Sequence, residues 1–321
     1  MKTSIKIKQY LKEKTRVTGN ELSDYLGISG RAVRKQLANL LKGGEIDRVG
    51  RPPKVFYLLK EQHDKENEII DSAKRDIIEK NYLIITPSGE KKDGFTGFNY
   101  WCNKNNLDVA KTADEYIKIL LKYDKFKKGG LIDGMQKFNN TFDEVYLDKI
   151  FYLDFYSIER FGKTKLGQLL LYGKQSGNRT IIKQIVEEIK PKIDALIKKF
   201  NIDAVGFIPW TVKREVQFMR ELERQLNLSI KSIKTEKVKT EIIVPQKTLS
   251  KLEDRIENAR KTLVLSDSGK YNNLLLIDDA VGSGATLNQV AKQAKDKKIA
   301  KNIIGLSITG SFKGFDVISE V

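Results

Sequence analysis

Along the first sixty positions apolar residues recur at helical spacing, then change to short strand-like runs. "SIKIKQYLKEK" puts Ile7, Tyr10 and Leu11 on one face. "TGNELSDYLGIS" opens with Thr18 three residues before Glu21, the spacing of a capping box. It presents Leu22, Tyr25 and Leu26 as its apolar face and stops at Gly27. Ser29 is placed to cap the next helix, "GRAVRKQLANLLK", whose Val33, Leu37, Leu40 and Leu41 form one stripe and which ends at Gly43-Gly44. "EIDRVGRPPKVFYLL" then predicts strand, tight tip, strand.

The middle of the chain is less regular. A charged helix is expected over 61–81, with Ile69, Ile70, Ala73 and Ile77 on one side, serving as a linker or as the contact of a homodimer. "NYLIITPSGEKKDGFTGF" predicts a strand and a glycine-rich connection, and 99–145 reads as mostly helical with turns at "KKGG" and "IDGM". Phe95, Phe98, Tyr100, Trp101, Tyr116, Tyr123 and Phe126 have the spacing of a core, although such rings also stack bases.

From about 150 strand and helix patterns alternate. "TKLGQLLLYGKQ" leads into the helix "RTIIKQIVEEIKPKIDALIKKF", followed by the buried-strand run "AVGFIPW". A helix with Val212, Val216, Met219, Leu222 and Leu226 on one face comes next, then the short strand "SIKSIK". A long charged stretch, 234–270, precedes "NNLLLIDDA", the helix "TLNQVAKQAK" with Leu287, Val290, Ala291 and Ala294 on one side, and two closing strands, "NIIGLSITG" and "DVISEV". The fold class expected is α/β, a parallel sheet covered on both faces. The domains expected are 1–60, 61–94 as linker helix and strand, a helical region of undetermined role at 95–150, and 151–321.

Composition narrows the setting. No apolar run approaches the ~20 residues that span a bilayer, and "MKTSIKIKQYLKEKTR" lacks a signal-peptide core, so a cytoplasmic protein is expected. The single cysteine, Cys102, reads as a half-buried thiol, and the single histidine, His63, as a solvated helix residue; together they exclude a Cys/His zinc site within the chain. Net charge is +17, and residues 1–60 hold 14 Lys/Arg against 5 Asp/Glu, a net of +9. About half the excess therefore sits in a fifth of the chain, which points to a polyanion partner for that segment.

Its order of elements, with the tip "GRPPKVFYL", resembles a winged helix-turn-helix. Arg31, Arg34 and Lys35 stand off the apolar stripe near the start of the third helix, where such folds meet base edges. Arg48, Arg51 and Lys54 on the wing would meet phosphate. The partner expected is nucleic acid, more readily DNA; a winged helix used only for protein contact is the alternative.

The second concentration of chemistry is "LLLIDDAVGSGATLN", residues 274–288. Ligands of parallel sheets bind beyond the carboxyl ends of strands. There Gly282, Ser283, Gly284, Ala285 and Thr286 lead into a helix N-terminus whose amides and dipole favour phosphate. Asp278 and Asp279 need a different group, and the vicinal hydroxyls of a ribose suit two acceptors. A Walker A loop is excluded because no Lys follows the second Gly; a dinucleotide G-x-G-x-x-G is excluded because Leu287 stands at the third Gly.

This stretch resembles the phosphoribosyl pyrophosphate (PRPP) motif of type I phosphoribosyltransferases. Over roughly 155–321 the chain is similar to the ComF-type branch of that family. The similarity rests on "ERFGKTKLGQLLLYGKQSGN", on "FIPW" followed by Lys213 and Arg214, and on "PQKTLSKLEDRIENARKTL" with Gln246, Leu249, Ser250, Arg255 and Asn258. The resemblance implies that Asp278 and Asp279 hold ribose hydroxyls, that Ala280, Val281 and Gly282–Thr286 cradle the 5-phosphate, and that Lys213 and Arg214 with Arg255 or Arg260 meet pyrophosphate. It implies Mg2+ carried mainly by PRPP, with Asp278 and Asp279 as candidate contacts. It also implies a flexible loop that closes over the site. The chain departs from that branch in having a winged helix in place of a Cys-rich zinc segment, and Gly282-Ser283 where two threonines are common. The combination is also similar to the purine repressor of Gram-positive bacteria, so three functions stay open: a nucleic-acid-associated phosphoribosyltransferase, a PRPP- or nucleotide-sensing DNA-binding regulator, and an accessory protein in DNA processing or phage defence.

Overall fold

Helices α1 (Thr3–Lys14), α2 (Gly19–Leu26) and α3 (Gly30–Lys42) precede an antiparallel hairpin of β1 (Ile46–Arg51) and β2 (Lys54–Leu59). The capping box is present: the Glu21 amide donates to Thr18 Oγ1 at 3.2 Å and the Thr18 amide to Glu21 Oε2 at 2.6 Å. Gly27 ends α2 in the left-handed region at φ 62°, and the Ser29 hydroxyl accepts from the Ala32 amide. Ile7, Leu11, Leu22, Val33, Leu37, Leu40 and Ile46 close one small core. Tyr25 departs from the expected apolar face, lying exposed with its ring stacked on Tyr10.

A computed structural model describes residues 2–14, 16–60, 70–209, 214–238, 241–242, 244 and 248–311, without the side chains of 49–51. The chain forms two compact units, Met1–Asn67 and Glu68–Val321. The expected strand "DVISEV", His63, Lys213 and Gln246 lie outside the described residues.

The second unit opens with α4 (Ser72–Asn81), capped by Asp71. Its buried residue is Ile78, which joins the core of Tyr82, Phe95 and Phe98, and the expected Ile77 lies at the surface. A hairpin of β3 (Leu83–Ile85) and β4 (Lys91–Asp93) leads to α5 (Gly94–Lys104) and α6 (Val109–Asp124). The "KKGG" turn is the tip of a further hairpin, β5 (Lys127–Lys128) and β6 (Leu131–Asp133), followed by α7 (Met135–Thr141). The aromatic series is core: Phe95, Phe98, Tyr116 and Tyr123 are buried, while Phe126 is exposed. Cys102 is fully buried among them rather than half-buried, since it occupies the inward face of α5.

Next come β7 (Lys149–Phe155), α8 (Lys165–Ser176), α9 (Arg179–Lys199), β8 (Ala204–Phe207), α10 (Phe218–Leu226) and β9 (Lys231–Ile233). The charged stretch 234–270 contains β10 (Thr235–Lys237), α11 (Leu252–Thr262) and β11 (Leu263–Leu265). α11 has acidic Glu253 and Asp254 in its first turn and Arg260 and Lys261 in its last, so its dipole is complemented while its apolar pattern is thin. The chain continues through β12 (Tyr271–Val281), α12 (Ala285–Asp296) and β13 (Ala300–Gly310).

Seven strands form one sheet in the order β5-β6-β7-β13-β12-β8-β9, parallel from β7 to β9 and antiparallel at the β5–β6 edge. Helices cover both faces. Leu287, Val290, Ala291 and Ala294 of α12 pack with the aromatic cluster on one face. Leu166, Leu169 and Leu170 of α8, the inner face of α9, and Met219, Leu222 and Leu226 of α10 pack on the other. The chain leaves β8 through α10 toward β9 and leaves β12 through α12 toward β13, in opposite directions across the sheet. The crevice beyond the carboxyl ends of β8 and β12 is thus a topological switch point, where open α/β sheets receive ligands.

Candidate functional site

Leu274, Leu275, Leu276 and Ile277 are fully buried, which fixes β12 in the middle of the sheet and carries Asp278 and Asp279 to its carboxyl edge. Both aspartates, with Ala280 and Val281, belong to the strand, which pairs with β13 from Tyr271↔Ala300 to Val281↔Gly310. Gly282–Gly284 make the turn, and Ala285 and Thr286 begin α12. The Asp279 amide donates to Asp278 Oδ1 at 2.8 Å. Asp279 Oδ2 meets Lys174 Nζ of α8 at 2.7 Å. Arg214 Nη1 donates to the backbone carbonyl of that same Lys174, the residue whose side chain reaches Asp279.

These contacts change the electrostatics from two free carboxylates. Burial, then the neighbouring Asp279 charge, raises the Asp278 carboxyl to about 8. With Asp278 shifted toward its neutral form and Asp279 paired with Lys174, the sheet edge carries less negative charge beside the loop than two free carboxylates would. The pH consequence has a definite sign. Above the ordinary carboxylate value near 4 and below about 8, Asp278 holds a proton in the folded protein that the unfolded chain has lost. Stability is therefore expected to fall as pH rises through that window. Asp278→Asn should flatten the fall in denaturant titrations repeated between pH 5 and 9, and an unaltered profile would refute the assignment.

The loop itself is held by sterics. Gly284 has φ 83° and provides no side-chain cap to α12. A Cβ at Gly284 would lie 2.3 Å from Cζ of Phe138, a fully buried ring of α7. Gly284→Ala is expected to cost about 2–4 kcal/mol, combining left-handed strain with overpacking. Urea denaturation measures it, and Phe138→Leu in the same chain should recover part of the loss through a non-additive double-mutant cycle. Ser283 is buried, its hydroxyl accepting from the Ala285 amide at 3.3 Å, and the Thr286 side chain is half-buried. Asn288 secures the helix, accepting from the Tyr146 amide and donating to the Glu144 carbonyl.

Other residues expected at the site lie differently. Arg255 is inside α11, 5% exposed, with Nε donating to the Leu249 carbonyl at 2.7 Å and burial lowering its pKa. It is a buried residue holding the 249–255 turn, not a cation on an open loop, because the segment folds as a helix. Asn258 Nδ2 donates to the Val244 carbonyl, and Arg260 is exposed on α11. Phe138 carries no motif signature in the sequence, and Lys174 is not singled out within the segment that carries the family resemblance. Lys174 lies within the glycine-flanked segment "YGKQSG", whose chemistry shows only once α8 is packed on the sheet.

In the first unit Arg31, Arg34 and Lys35 are exposed on α3, and Arg48 and Lys54 are exposed on the hairpin. Arg51 is in β1, its side chain outside the described residues. Val33, Leu37 and Leu40 turn inward, so the helix presents its cations by default.

Residues 3–51 match a family model described as an HTH domain, and the first unit is a helix-turn-helix domain with a wing. No curated protein matches the chain. Among solved structures, the chain is similar to a hypoxanthine phosphoribosyltransferase from Staphylococcus aureus. The identity is 14%, over 43% of this chain and 80% of that one, with a TM-score of 0.25, too loose a likeness to argue from. Among the described residues no helix is long and apolar enough to cross a membrane.

Proposed function

We infer that the second unit binds PRPP and transfers its phosphoribosyl group to an acceptor, while the first unit binds nucleic acid. The observation that carries the reading is the run of Asp278 and Asp279 through the Gly282–Gly284 turn into α12 at the switch point, with Lys174 paired to Asp279. Amides of the first turn of α12 and the hydroxyls of Ser283 and Thr286 would donate to the 5-phosphate. Asp278 and Asp279 would take the ribose diol, each accepting from a hydroxyl. Lys174 and Arg214 would face the pyrophosphate. In the transfer the bond from C1 to the pyrophosphate oxygen breaks, pyrophosphate leaves with the electron pair, and the acceptor's nucleophile bonds C1.

Two carboxylates are hard oxygen donors of the kind Mg2+ accepts, and Mg2+ retains much of its shell for water and phosphate oxygens. The metal would be brought by PRPP, with Asp278 and Asp279 as its protein contacts. When bound it would neutralise charge on the leaving pyrophosphate.

Calorimetry with Mg-PRPP, followed by a pyrophosphate-release screen across bases, nucleotides and protein acceptors, tests the reading. Absence of PRPP binding rejects it. The HTH match on 3–51 favours a second reading, a DNA-binding regulator whose second unit senses PRPP or a nucleotide. There PRPP binds without pyrophosphate release and changes operator affinity, as a ligand preferring one of two states must.

A further inference from the structure

The second unit is basic in its own right, with 44 Lys/Arg against 34 Asp/Glu over residues 68–321. Part of that excess gathers at the amino edge of the sheet, opposite the site described above. Parallel strands begin there and α9 and α12 end there, so helix dipoles draw lysines to this edge. Dipoles alone do not account for what is found. Lys149 starts β7 and Lys199 ends α9, and their ammonium groups lie 6.0 and 5.5 Å from the centre of one ring, Phe200, which stacks on Phe151. Two like charges are therefore gathered on one aromatic ring.

The carboxylates of this edge are already engaged. Asp148 pairs with Lys295 at 2.8 Å and accepts from the Ile303 amide. Asp203 accepts from the amides of Asn272 and Asn273. Asp296 pairs with Lys292 at 2.8 Å. Lys149, Lys199, Lys231, Lys298 and Lys301 are exposed, and none makes an ion pair among the described residues. From Lys149 on β7 to Lys231 on β9 the edge crosses four strand gaps, about 19 Å at ~4.8 Å each. A nucleic-acid strand carries a phosphate about every 3.4 Å along the helix axis, so an edge of that width spans several phosphates.

We propose that the amino edge of the sheet is a second nucleic-acid face, binding the phosphodiester backbone without reading sequence. It does not depend on what ligand occupies the carboxyl edge. Backbone contacts of this kind position and retain a nucleic acid while sequence is read elsewhere.

The test uses the full chain and a duplex DNA of arbitrary sequence, titrated at several salt concentrations. A parent carrying Arg31→Ala, Arg34→Ala and Arg51→Ala is expected to keep salt-dependent binding. Adding Lys149→Gln, Lys199→Gln and Lys301→Gln to it should weaken binding roughly tenfold or more at low salt. The slope of log K against log salt should shrink by about 0.9 for each phosphate no longer neutralised. The corresponding Lys→Arg variants, which keep the charge, should retain both affinity and slope and exclude a folding defect. A parent that no longer binds DNA, or Lys→Gln variants with unchanged slope, would overturn the proposal.

Discussion

Replacing Asp278 and Asp279 together by Asn is expected to abolish Mg-PRPP binding in calorimetry while both units remain folded. Asn keeps the size of Asp, but at position 279 it forfeits a charge-assisted bond worth about 1.5–3 kcal/mol and at position 278 a bond from a near-neutral carboxyl worth about 0.5–1.5 kcal/mol. That is on the order of thirtyfold to a thousandfold or more in affinity for the pair. Single variants add resolution. Asp279→Asn removes the partner of Lys174, whereas Asp278→Asn replaces a carboxyl that burial already holds near neutrality. The Asp279 variant should therefore carry the larger loss at neutral pH. Unaltered PRPP affinity in the double variant would sink the ribose assignment, and a lowered unfolding midpoint with retained affinity would recast the pair as structural.

The second large effect lies in the first unit. Arg31→Ala, Arg34→Ala and Arg51→Ala in one chain should weaken binding of the HTH domain to its nucleic-acid target. Salt dependence should fall by about 0.9 in the log–log slope for each phosphate these cations neutralise. Arg31 and Arg34 are exposed on α3 while Val33, Leu37 and Leu40 hold that helix from below. Their removal leaves the core intact. If affinity and slope both stay as they were, the interaction surface of this domain is elsewhere. An operator that discriminates between sequences separates α3 from the wing. Loss of discrimination on Arg31→Ala or Arg34→Ala marks base contact, and uniform weakening on Arg51→Ala marks phosphate.

Much of the site's frame is legible in the order of residues. Thr18 three residues before Glu21, Gly27 after α2, and the four apolar residues before Asp278 each express a rule acting over a few residues, and each is found in the fold. Legibility weakens wherever apolar residues are sparse. α11 has few, so its sequence reads as loop and Arg255 reads as an open cation. The "KKGG" turn gives no sign that its flanking pairs extend the large sheet. Ile77 and Ile78 cannot be told apart until packing against the aromatic core sets which one faces inward.

The sequence by itself determined the helix-turn-helix with its wing, the alternation that makes an α/β sheet, and the adjacency of the carboxylate pair to the glycine loop. These follow from capping, periodicity and backbone freedom, all local in the chain. Only the tertiary structure decided what surrounds that pair. Strand order set β12 beside β8, brought Lys174 from α8 onto Asp279, and placed Phe138 under Gly284. Burial then raised the Asp278 carboxyl. Such properties belong to contacts between distant segments, and a charge acquires its solvation and its partner only when those segments meet.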